Sequence, residues 1–353
     1  MQLADLSRYL PALESALRRS YVRERRRAPA TVRPYLDVNE EFTLRGGKRF
    51  RATLVLAGYH LATGRDPKPA VGAAAALEHF QSWMLIHDDI IDHAEERRGG
   101  PSVHRALASA HRQERLLGSS EDYGVGIGIT AGDLEEPFTV EALLSAPAPA
   151  AARLRALAQY VRMTRLTAYG QLLDIRNGTL EPGAVTEADV LYVHRLKSAV
   201  YTVASPLKIG ALLGGARPAL LDDLESIGLD LGVAFQLRDD VLGAGFDADE
   251  SGKSPNDLPE GKRTLLVVRA WAHAEEADRS RLMRVLGNAN ATPEDLDRAR
   301  EVIRATGSLA YSEERIAALT RRALARLDRS RSIRATAKPL VREIADRLVR
   351  RRS

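Results

Sequence analysis

The sequence has 353 residues, a formal net charge of +5 and no cysteine, which excludes disulfides, zinc-thiolate sites and a cysteine nucleophile. Its first twenty residues contain acids and no continuous apolar run, so they do not match the pattern of a secretory signal peptide. No segment approaches the ~20 apolar residues needed to cross a bilayer. We therefore expect a soluble, cytoplasmic protein without a transmembrane segment. The length fits one large domain or two medium ones, and one domain over 1–353 is the simpler account.

Arginine supplies most of the positive charge and is concentrated near both ends of the chain. Such runs can mark contact with nucleic acid or an anionic membrane. They are more often solvated faces of helices, and few aromatic residues interleave with them here, so we expect no nucleic-acid partner. The clusters comprise Arg19, Arg23, Arg25, Arg26, Arg27 and Arg33 at one end, and Arg342, Arg347, Arg350, Arg351 and Arg352 at the other.

Apolar residues recur at three- and four-residue spacing through most of the first hundred residues, which predicts helices. The predicted helices are 3–22, 51–64 and a long Ala-rich and Leu-rich one over 70–96. Residues 98–101 break the last of these. No segment shows convincing strand alternation, so the sequence predicts an all-α protein.

The middle of the chain contains two features that imitate nucleotide-binding motifs. Gly126, Gly128 and Ala131 match the dinucleotide fingerprint, but no strand precedes them. The GKS at 252–254 lacks the glycine that a phosphate-binding loop needs, because position 247 is Asp247. Residues 139–153 are expected to form a loop or bend. Helices are predicted over 153–178, 187–215, 219–245 and much of 265–352, with a polar loop over 246–264.

The segment 78–104 reads EHFQSWMLIHDDIIDHAEERRGGPSVH and contains the first acidic cluster. Asp88, Asp89 and Asp92 form the pattern D-D-x-x-D, in which Asp88 and Asp92 share one face of a helix. A solvated acidic patch is the usual result of a charge run. Here apolar residues surround the acids, and buried carboxylates are rarely left unpaired. Mg²⁺ prefers oxygen ligands and often shares its shell with substrate phosphates, so a metal site is the better interpretation.

Asp239 and Asp240 form a second acidic pair in an apolar helix. Two such pairs indicate a substrate with several negative charges bridged by several Mg²⁺ ions, and a diphosphate is the simplest candidate. Each nearby basic residue alone would ordinarily lie at the surface, but together with the aspartates they describe a polyanion pocket. These residues are Lys48, Arg49, Arg51, Arg97, Arg98, Lys197, Lys253, Lys262 and Arg263.

From about residue 46 to residue 264 the sequence resembles the trans-isoprenyl diphosphate synthases, or polyprenyl synthetases. GGKRFR resembles the family's G-G-K-x-x-R, and HDDIIDHAEERRGGPSVH is similar to its first aspartate-rich motif with paired arginines. GQLLD, LKSAV, FQLRDDVLG and DLPEGKRT resemble later family blocks, in the same order. The resemblance implies the isoprenoid synthase fold, a single large helical bundle around a deep central cavity, and usually a homodimer.

The resemblance also implies roles for individual residues. The expected Mg²⁺ ligands and their near neighbours are Asp88, Asp89, Asp92, Asp239 and Asp240. The allylic diphosphate is expected to contact Arg97, Lys197 and Lys262, with Ser198, Gln236 and Lys253 as further substrate-binding residues. The second substrate, isopentenyl diphosphate, is expected to bind Lys48, Arg51, Gln81 and Arg98. Gln171 and Asp174 resemble the family pair near the reacting carbons.

The implied activity is that of a prenyltransferase. A Mg²⁺-dependent 1'-4 head-to-tail condensation would join isopentenyl diphosphate to dimethylallyl, geranyl or farnesyl diphosphate. Metals and cationic side chains would stabilise the departing diphosphate, and an apolar cavity would keep water from the allylic cation. No nucleophilic side chain is needed, and His87, His93 and His104 are read as packing or supporting residues.

Three departures from the family pattern are visible. The second motif reads D-D-x-x-G, with Gly243 in place of a third aspartate, and GAGFD makes a role for Asp247 doubtful. Ser198 replaces a common threonine and keeps the hydroxyl.

Two rivals stay open. A class I terpene cyclase shares the fold and first motif, but it lacks an isopentenyl site and usually has a different second motif. A non-catalytic diphosphate-binding subunit would typically have lost aspartates, and both clusters are present here.

Product length is expected to depend on bulky residues just before the first motif. Trp83 and Met84 lie five and four residues before Asp88. Trp83 could simply fill the core, but as a floor for the growing chain it predicts a short product, farnesyl or geranylgeranyl diphosphate.

Overall fold

The computed structural model describes residues 1–246 and 256–350, and within these ranges one short hairpin accompanies a large set of helices. The prediction of an all-α protein is confirmed. The first half contains α1 (Leu3–Leu6), α2 (Leu10–Arg27), α3 (Arg33–Leu44), α4 (Phe50–Thr63), α5 (Val71–Ile91), β1 (Glu96–Arg97), β2 (Gly100–Pro101), α6 (Val103–Gln113), α7 (Ser120–Asp133) and α8 (Glu135–Leu144).

The second half continues the helical pattern and includes a segment of π-helix, His194–Ala204, which we call the π segment. Its other elements are α9 (Ala150–Gly178), α10 (Glu187–Val193), α11 (Ser205–Leu213), α12 (Pro218–Gly243), α13 (Leu265–His273), α14 (Glu276–Val285), α15 (Pro293–Ala305), α16 (Ser308–Arg329) and α17 (Lys338–Arg350). Short 3₁₀ turns lie at Ser7–Tyr9, Ala30–Val32, Lys68–Ala70, Pro182–Ala184 and Ala335–Ala337.

The chain divides into two compact units. The first comprises Met1–Ala158 and Pro206–Ala216, and the second comprises Gln159–Ser205 and Arg217–Ser353. The single domain and its deep central cavity stay predictions. In the described part of the chain, no helix is long and apolar enough to span a membrane.

Helix α5 lies at the centre of the first unit, where it packs against α2, α4, α7 and α8. Its first half is an alanine-rich run that is almost fully buried. A buried polar network fixes the helix: Glu135 accepts hydrogen bonds from Tyr21 at 2.7 Å and Asn39 at 3.0 Å, and lies 2.7 Å from His79 Nδ1. Since a buried carboxylate is costly unless it is hydrogen-bonded, this network specifies one packing of α2, α3, α5 and α8.

Helix α12 holds the corresponding place in the second unit and packs against the π segment, α16 and α17. Two glycines allow the close approach to the π segment. A Cβ at Gly228 would lie 2.6 Å from Ala204 Cα, and one at Gly232 would lie 2.5 Å from Ala199 Cα. Larger residues at either position would push the π segment away from α12.

The structure corrects two predictions about local structure and gives the predicted break of the helix a defined form. Helix α5 ends at Ile91, not at residue 96, and His93 follows with φ of 52°. The predicted break at 98–101 forms part of the β1–β2 hairpin. The predicted loop over 139–153 is mostly helical, because α8 continues to Leu144 and α9 begins at Ala150.

The glycines that imitate a dinucleotide fingerprint lie inside helix α7. Gly124, Gly128 and Gly132 are four residues apart, and a Cβ on any of them would meet neighbouring atoms at 2.4 to 3.2 Å. The spacing of Gly124, Gly128 and Gly132 therefore serves close helix packing, whereas a Cβ at Gly126 would meet nothing within 4 Å. The fingerprint residues lie inside a helix and not in a loop after a strand, so the rejection of a nucleotide-binding loop is confirmed for this segment.

Candidate active site

The first acidic cluster lies at the C-terminal end of α5. Asp88 and Asp92 are partly exposed, whereas Asp89 is fully buried. Asp92 is the C-terminal cap, and its amide donates to the Asp88 carbonyl at 2.8 Å. The helix thus presents Asp88 and Asp92 to solvent and turns Asp89 inward, as their spacing predicts.

The buried carboxylate of Asp89 is paired with Arg97 on β1. Arg97 Nε donates to Asp89 Oδ1 at 2.8 Å, and Arg97 Nη2 donates to the same oxygen. Burial raises the pKa of Asp89, the Arg97 contact lowers it, and the net result is a raised pKa. Burial lowers the pKa of Arg97, but Asp89, Asp88 and Asp92 raise it more, so its charge is secured. We infer that Asp89 orients Arg97, and its part in metal binding stays a prediction.

Arg98 lies in a concentration of positive charge. Burial lowers the pKa of its guanidinium, and the charges of Arg49, Arg51 and Arg97 lower it further, against an opposing effect of Glu78. Arg98 also has a left-handed backbone, with φ of 56°. Like charges gathered in a partly buried place are stabilised by a bound anion.

The segment GGKRFR forms a tight turn before α4. Gly46 and Gly47 have φ of 56° and 94°, and Arg49 follows with φ of 47°. Arg49 is buried and donates to Glu78 Oε2 at 3.1 Å. Lys48 lies between Gly47 and Arg49 in this turn and is exposed, so its ammonium can reach a ligand.

The other predicted isopentenyl-site residues in the first unit are partly exposed. Arg51 lies in the first turn of α4, and Gln81 lies on α5 seven residues before Asp88. Two helical turns separate Gln81 from Asp88, so both project from one side of α5.

The second acidic cluster lies near the end of α12. Asp239 is partly exposed and Asp240 is buried. Gln236 donates to Asp240 Oδ1 at 2.9 Å and accepts from the Ser198 hydroxyl at 2.7 Å. His194 Nε2 lies 3.1 Å from the second oxygen of Asp240. The predicted residue Gln236 therefore supports Asp240 directly, and Ser198 supports it through Gln236.

His194 was not among the predicted site residues. Burial lowers the pKa of its imidazole, but the Asp240 carboxylate, and more weakly Asp174, raise it, and the net pKa is raised. A charged His194 would offset the negative charge of the Asp240 carboxylate. Asp239, which is partly exposed, is the more accessible acid of the pair.

Lys197 forms an ion pair with Asp174, with 2.6 Å between Nζ and Oδ2. Burial raises the pKa of Asp174, but Lys197, Lys262 and His194 lower it, and the net pKa is below its usual range. Gln171 lies one turn earlier on α9 and is partly exposed. The structure thus gathers Lys197, Lys262 and Asp174 into one charged group.

The π segment determines where Lys197 lies. A π-helix is rare and often occurs at functional sites. Gly170 on α9 packs against this segment so closely that a Cβ would lie 2.3 Å from the Lys197 amide nitrogen. The backbone at Lys197 is therefore held by α9, while its side chain extends to Asp174.

The two residues with a predicted role in product length lie on α5 and are partly exposed. The indole of Trp83 donates to Asp133 Oδ1 at 3.3 Å and meets the Phe80 ring edge-on at 5.8 Å. Met84 follows it on the helix. Trp83 is therefore held by specific contacts in the first unit.

The predicted residues form two groups in the described part of the chain. Lys48, Arg51, Gln81, Asp88, Asp89, Asp92, Arg97 and Arg98 belong to the first unit, and Gln171, Lys197, Ser198, Gln236, Asp239, Asp240 and Lys262 belong to the second. Lys253 and Asp247 lie outside the described residues.

The acidic side chains fit the way in which proteins commonly bind Mg²⁺ together with a phosphate-containing substrate. Among residues 1–246 and 256–350, no three histidine or acidic side chains form a ready cage for a metal ion. Mg²⁺ is commonly bound by one or two carboxylates, together with water and substrate phosphates. Asp88 and Asp92 on one helix face, and Asp239 on another helix, fit that mode.

Comparison with known proteins identifies the family. The sequence model of the polyprenyl synthetase family matches residues 33–303. A short chain isoprenyl diphosphate synthase of Methanothermobacter thermautotrophicus is 36% identical over 261 residues, which are 74% of each chain. A geranylgeranyl diphosphate synthase of Saccharolobus solfataricus is 32% identical over 73% of each chain. The chain belongs to the polyprenyl synthetase family.

A solved structure extends the likeness over nearly the whole chain. Geranylgeranyl pyrophosphate synthase from Corynebacterium glutamicum, crystallised with isoprenyl diphosphate and magnesium, matches with a TM-score of 0.90 and 35% identity. The match covers 98% of this chain and 99% of that one.

Sequence reasoning missed three residues that contact predicted residues within their own unit: Glu78 in the first unit, and His194 and Asp257 in the second. Glu78 is a lone acid in an alanine-rich run, and this is a signal that it needs a buried partner. His194 gave no comparable signal, because its partner Asp240 is distant in sequence. Asp257 lies in a polar stretch of the sequence in which nothing marks it as buried. Asp257 is buried, and one of its oxygens lies 3.4 Å from Lys262 Nζ.

Proposed function

We propose that this chain is a short-chain trans-isoprenyl diphosphate synthase. It would condense isopentenyl diphosphate with dimethylallyl, geranyl or farnesyl diphosphate and release farnesyl or geranylgeranyl diphosphate. One observation carries the proposal beyond family membership. The partly buried Arg98 guanidinium lies against the turn that contains Lys48, 3.4 Å from the Arg45 carbonyl, with Arg49, Arg51 and Arg97 as neighbouring positive charges. A diphosphate would relieve this repulsion.

We assign the side chains to two substrates. Lys48, Arg51, Gln81 and Arg98 would hold isopentenyl diphosphate. Arg97, Lys197 and Lys262 would hold the allylic diphosphate, with Ser198, Gln236, Gln171 and Lys253 as further contributors.

Asp88, Asp92 and Asp239 would hold Mg²⁺, with Asp89 and Asp240 supporting them. When bound, the metal neutralises charge that develops on the departing diphosphate. Cationic side chains that are already in place give the same charge a fixed environment, so little reorganisation is needed during reaction. We assign the proton that leaves the isopentenyl unit to the departing diphosphate, because this anion is a base that the reaction itself releases beside the reacting carbons.

We further propose that the enzyme acts as a cytoplasmic homodimer. Exposed apolar side chains support an interface: Val125 and Ile129 on α7 are 37% and 42% exposed. They lie one turn apart on the same face of α7, so they are candidate contacts for the homodimer that the family resemblance implies. Sedimentation analysis of the purified chain would show a species of twice the chain mass, whereas a monomer at all concentrations would refute this part of the proposal.

The activity is tested by product analysis. The purified protein is incubated with isopentenyl diphosphate and each allylic diphosphate, and the dephosphorylated products are separated by chromatography. Linear prenyl alcohols with fifteen or twenty carbons are the expected result. Cyclic hydrocarbons formed without isopentenyl diphosphate would indicate a cyclase, and no product from any pair would indicate a non-catalytic subunit.

A further inference from the structure

The β1–β2 hairpin carries Arg97 and Arg98, yet it has only two residues in each strand. A hairpin this short is not stable alone, so other groups must fix it. Arg45, at the end of α3, supplies two of these contacts. Its Nη1 donates to the Arg97 carbonyl at 3.0 Å and to the Pro101 carbonyl at 2.8 Å. One guanidinium therefore connects both strands.

Arg45 is itself held in place. Its Nε donates to Glu41 Oε1 at 2.8 Å, and its Nη2 donates to Glu41 Oε2. Glu41 lies one turn earlier on α3, and the Arg45 side chain is only 16% exposed. The paired, planar geometry fixes the guanidinium more firmly than a single contact would.

The hairpin fits closely against this guanidinium. A Cβ at Gly100 would lie 2.5 Å from Arg45 Nη1, so even alanine has no room there. On the other side, Arg98 Nη1 lies 3.4 Å from the Arg45 carbonyl. The guanidinium carbon of Arg98 would be 3.1 Å from a Cβ at Gly47. Arg45 thus joins the hairpin to the turn that precedes Lys48.

We propose that Arg45 is a positioning residue for the isopentenyl diphosphate site, which it serves by fixing Arg98 relative to Lys48. The inference rests on the proposed function, because those two residues are assigned there to isopentenyl diphosphate. The Arg97 side chain has a second anchor in the buried Asp89 carboxylate, at 2.8 Å. The Arg98 side chain meets the main-chain carbonyl of Arg45 at the longer distance of 3.4 Å, so its position depends more on the hairpin backbone that the Arg45 guanidinium fixes on either side of it. Loss of Arg45 therefore affects the isopentenyl side more than the allylic side.

The test is a steady-state comparison of Arg45→Ala with the wild-type enzyme. The KM for isopentenyl diphosphate should rise roughly tenfold, which corresponds to about 1.4 kcal/mol. The KM for the allylic substrate should rise less, and kcat should stay close to the wild-type value. Arg45→Lys should restore little, since an ammonium cannot reproduce the guanidinium's bonds to both carbonyls and to Glu41.

Gly100→Ala disturbs the same contact between the hairpin and the Arg45 guanidinium, but it leaves Arg45 itself unchanged. It should reproduce the selective rise in the KM for isopentenyl diphosphate. Arg112→Ala is the matched control, because Arg112 makes exposed contacts with Ser120 and Glu121. This control should leave both KM values unchanged.

Two results would overturn the proposal. One is a lower melting temperature in Arg45→Ala with both KM values unchanged, which would mean a purely structural role. The other is an equal rise in both KM values in Arg45→Ala and Gly100→Ala. Calorimetric binding of isopentenyl diphosphate to the wild-type enzyme, without an allylic substrate, separates this inference from the proposed function. If the wild type neither binds nor incorporates isopentenyl diphosphate, the function itself is wrong.

Discussion

The carboxylate of Asp257 occupies the space that a side chain at Gly243 would need. A Cβ at Gly243 would lie 1.9 Å from Asp257 Oδ2, and the Asp257 amide donates to the Gly243 carbonyl at 3.2 Å. Gly243 stands where many family members are expected to carry a third aspartate. In this chain an acid from a later segment lies at that place, which gives a physical reason for the departure from D-D-x-x-D.

Gly243→Ala should therefore lower kcat/KM for the allylic substrate by about tenfold or more, a change of 1.4 kcal/mol or above. The added methyl group would displace the Asp257 carboxylate and with it the nearby ammonium of Lys262. Gly243→Asp should be at least as harmful, because the space is already filled. Initial rates over a range of allylic diphosphate concentrations measure the effect.

Gly72→Ala is the matched control, since a Cβ at this helical glycine meets nothing within 4 Å. It should keep full activity, with a free energy of unfolding that is unchanged or raised by about 0.5–1 kcal/mol. Full activity of Gly243→Ala would show that the Asp257 carboxylate has no role in catalysis.

Asp88→Ala and Asp239→Ala should each lower turnover by orders of magnitude, with a circular dichroism spectrum like that of the wild type. Both acids are partly exposed, so their loss removes charge from the site without opening the core. Asp222→Ala, an exposed aspartate on the same helix as Asp239, should retain normal rates. Near-normal turnover in either site variant would overturn the metal assignment.

Trp83→Ala should lengthen the product, because it removes the side chain proposed as the floor for the growing prenyl chain. Chromatography of the dephosphorylated products would show a shift toward longer alcohols. Asp133→Ala removes the acceptor of the indole N–H, together with a 3.4 Å contact to His87, and keeps the indole itself, so it should give a smaller shift in the same direction. The control is Trp271→Ala in the second unit, with an unchanged product. An unaltered product from Trp83→Ala would exclude the floor role.

The contacts of Asp223 predict acid-sensitive stability in the second unit. Burial raises the pKa of this carboxylate, but bonds from Ser330 and Ser332 at 2.6 Å and from Arg326 at 2.8 Å lower it more. A carboxylate with a lowered folded-state pKa stabilises the fold above its unfolded pKa of about 4. This contribution is lost as the pH falls from there through the folded-state pKa.

Asp223→Ala should thus lower the melting temperature at pH 7, with a cost of about 1–3 kcal/mol. The difference from the wild type should shrink as the pH falls below about 4. Thermal unfolding at several pH values measures this. A difference that stays constant down to pH 3 would mean that the charge of Asp223 is not what stabilises this contact.

Helical periodicity was sufficient to predict the all-α fold class and the helix face that Asp88 and Asp92 share. Side chains four apart on a helix share a face whatever the rest of the fold does, so these positions follow from the sequence. The apolar neighbours predicted that the whole acidic cluster would be buried, and this holds only for Asp89, because Asp88 and Asp92 are partly exposed.

Other features depend on contacts that sequence patterns do not contain. The β1–β2 hairpin has two-residue strands with no alternation to detect, and it is held by Arg45, which lies about fifty residues earlier. The pairing of His194 with Asp240 and of Arg49 with Glu78 joins residues far apart in the chain. The π segment looks like ordinary helix in sequence, because its glycine contacts come from α9 and α12.

The central claim is that the two acidic clusters, together with their cations, support a metal-dependent elongation. It is tested most directly by the rate of labelled isopentenyl diphosphate incorporation into product, first with a chelator and then with Mg²⁺ restored. The account predicts no incorporation in the chelator and full recovery on addition of Mg²⁺. Undiminished incorporation in the chelator would contradict it.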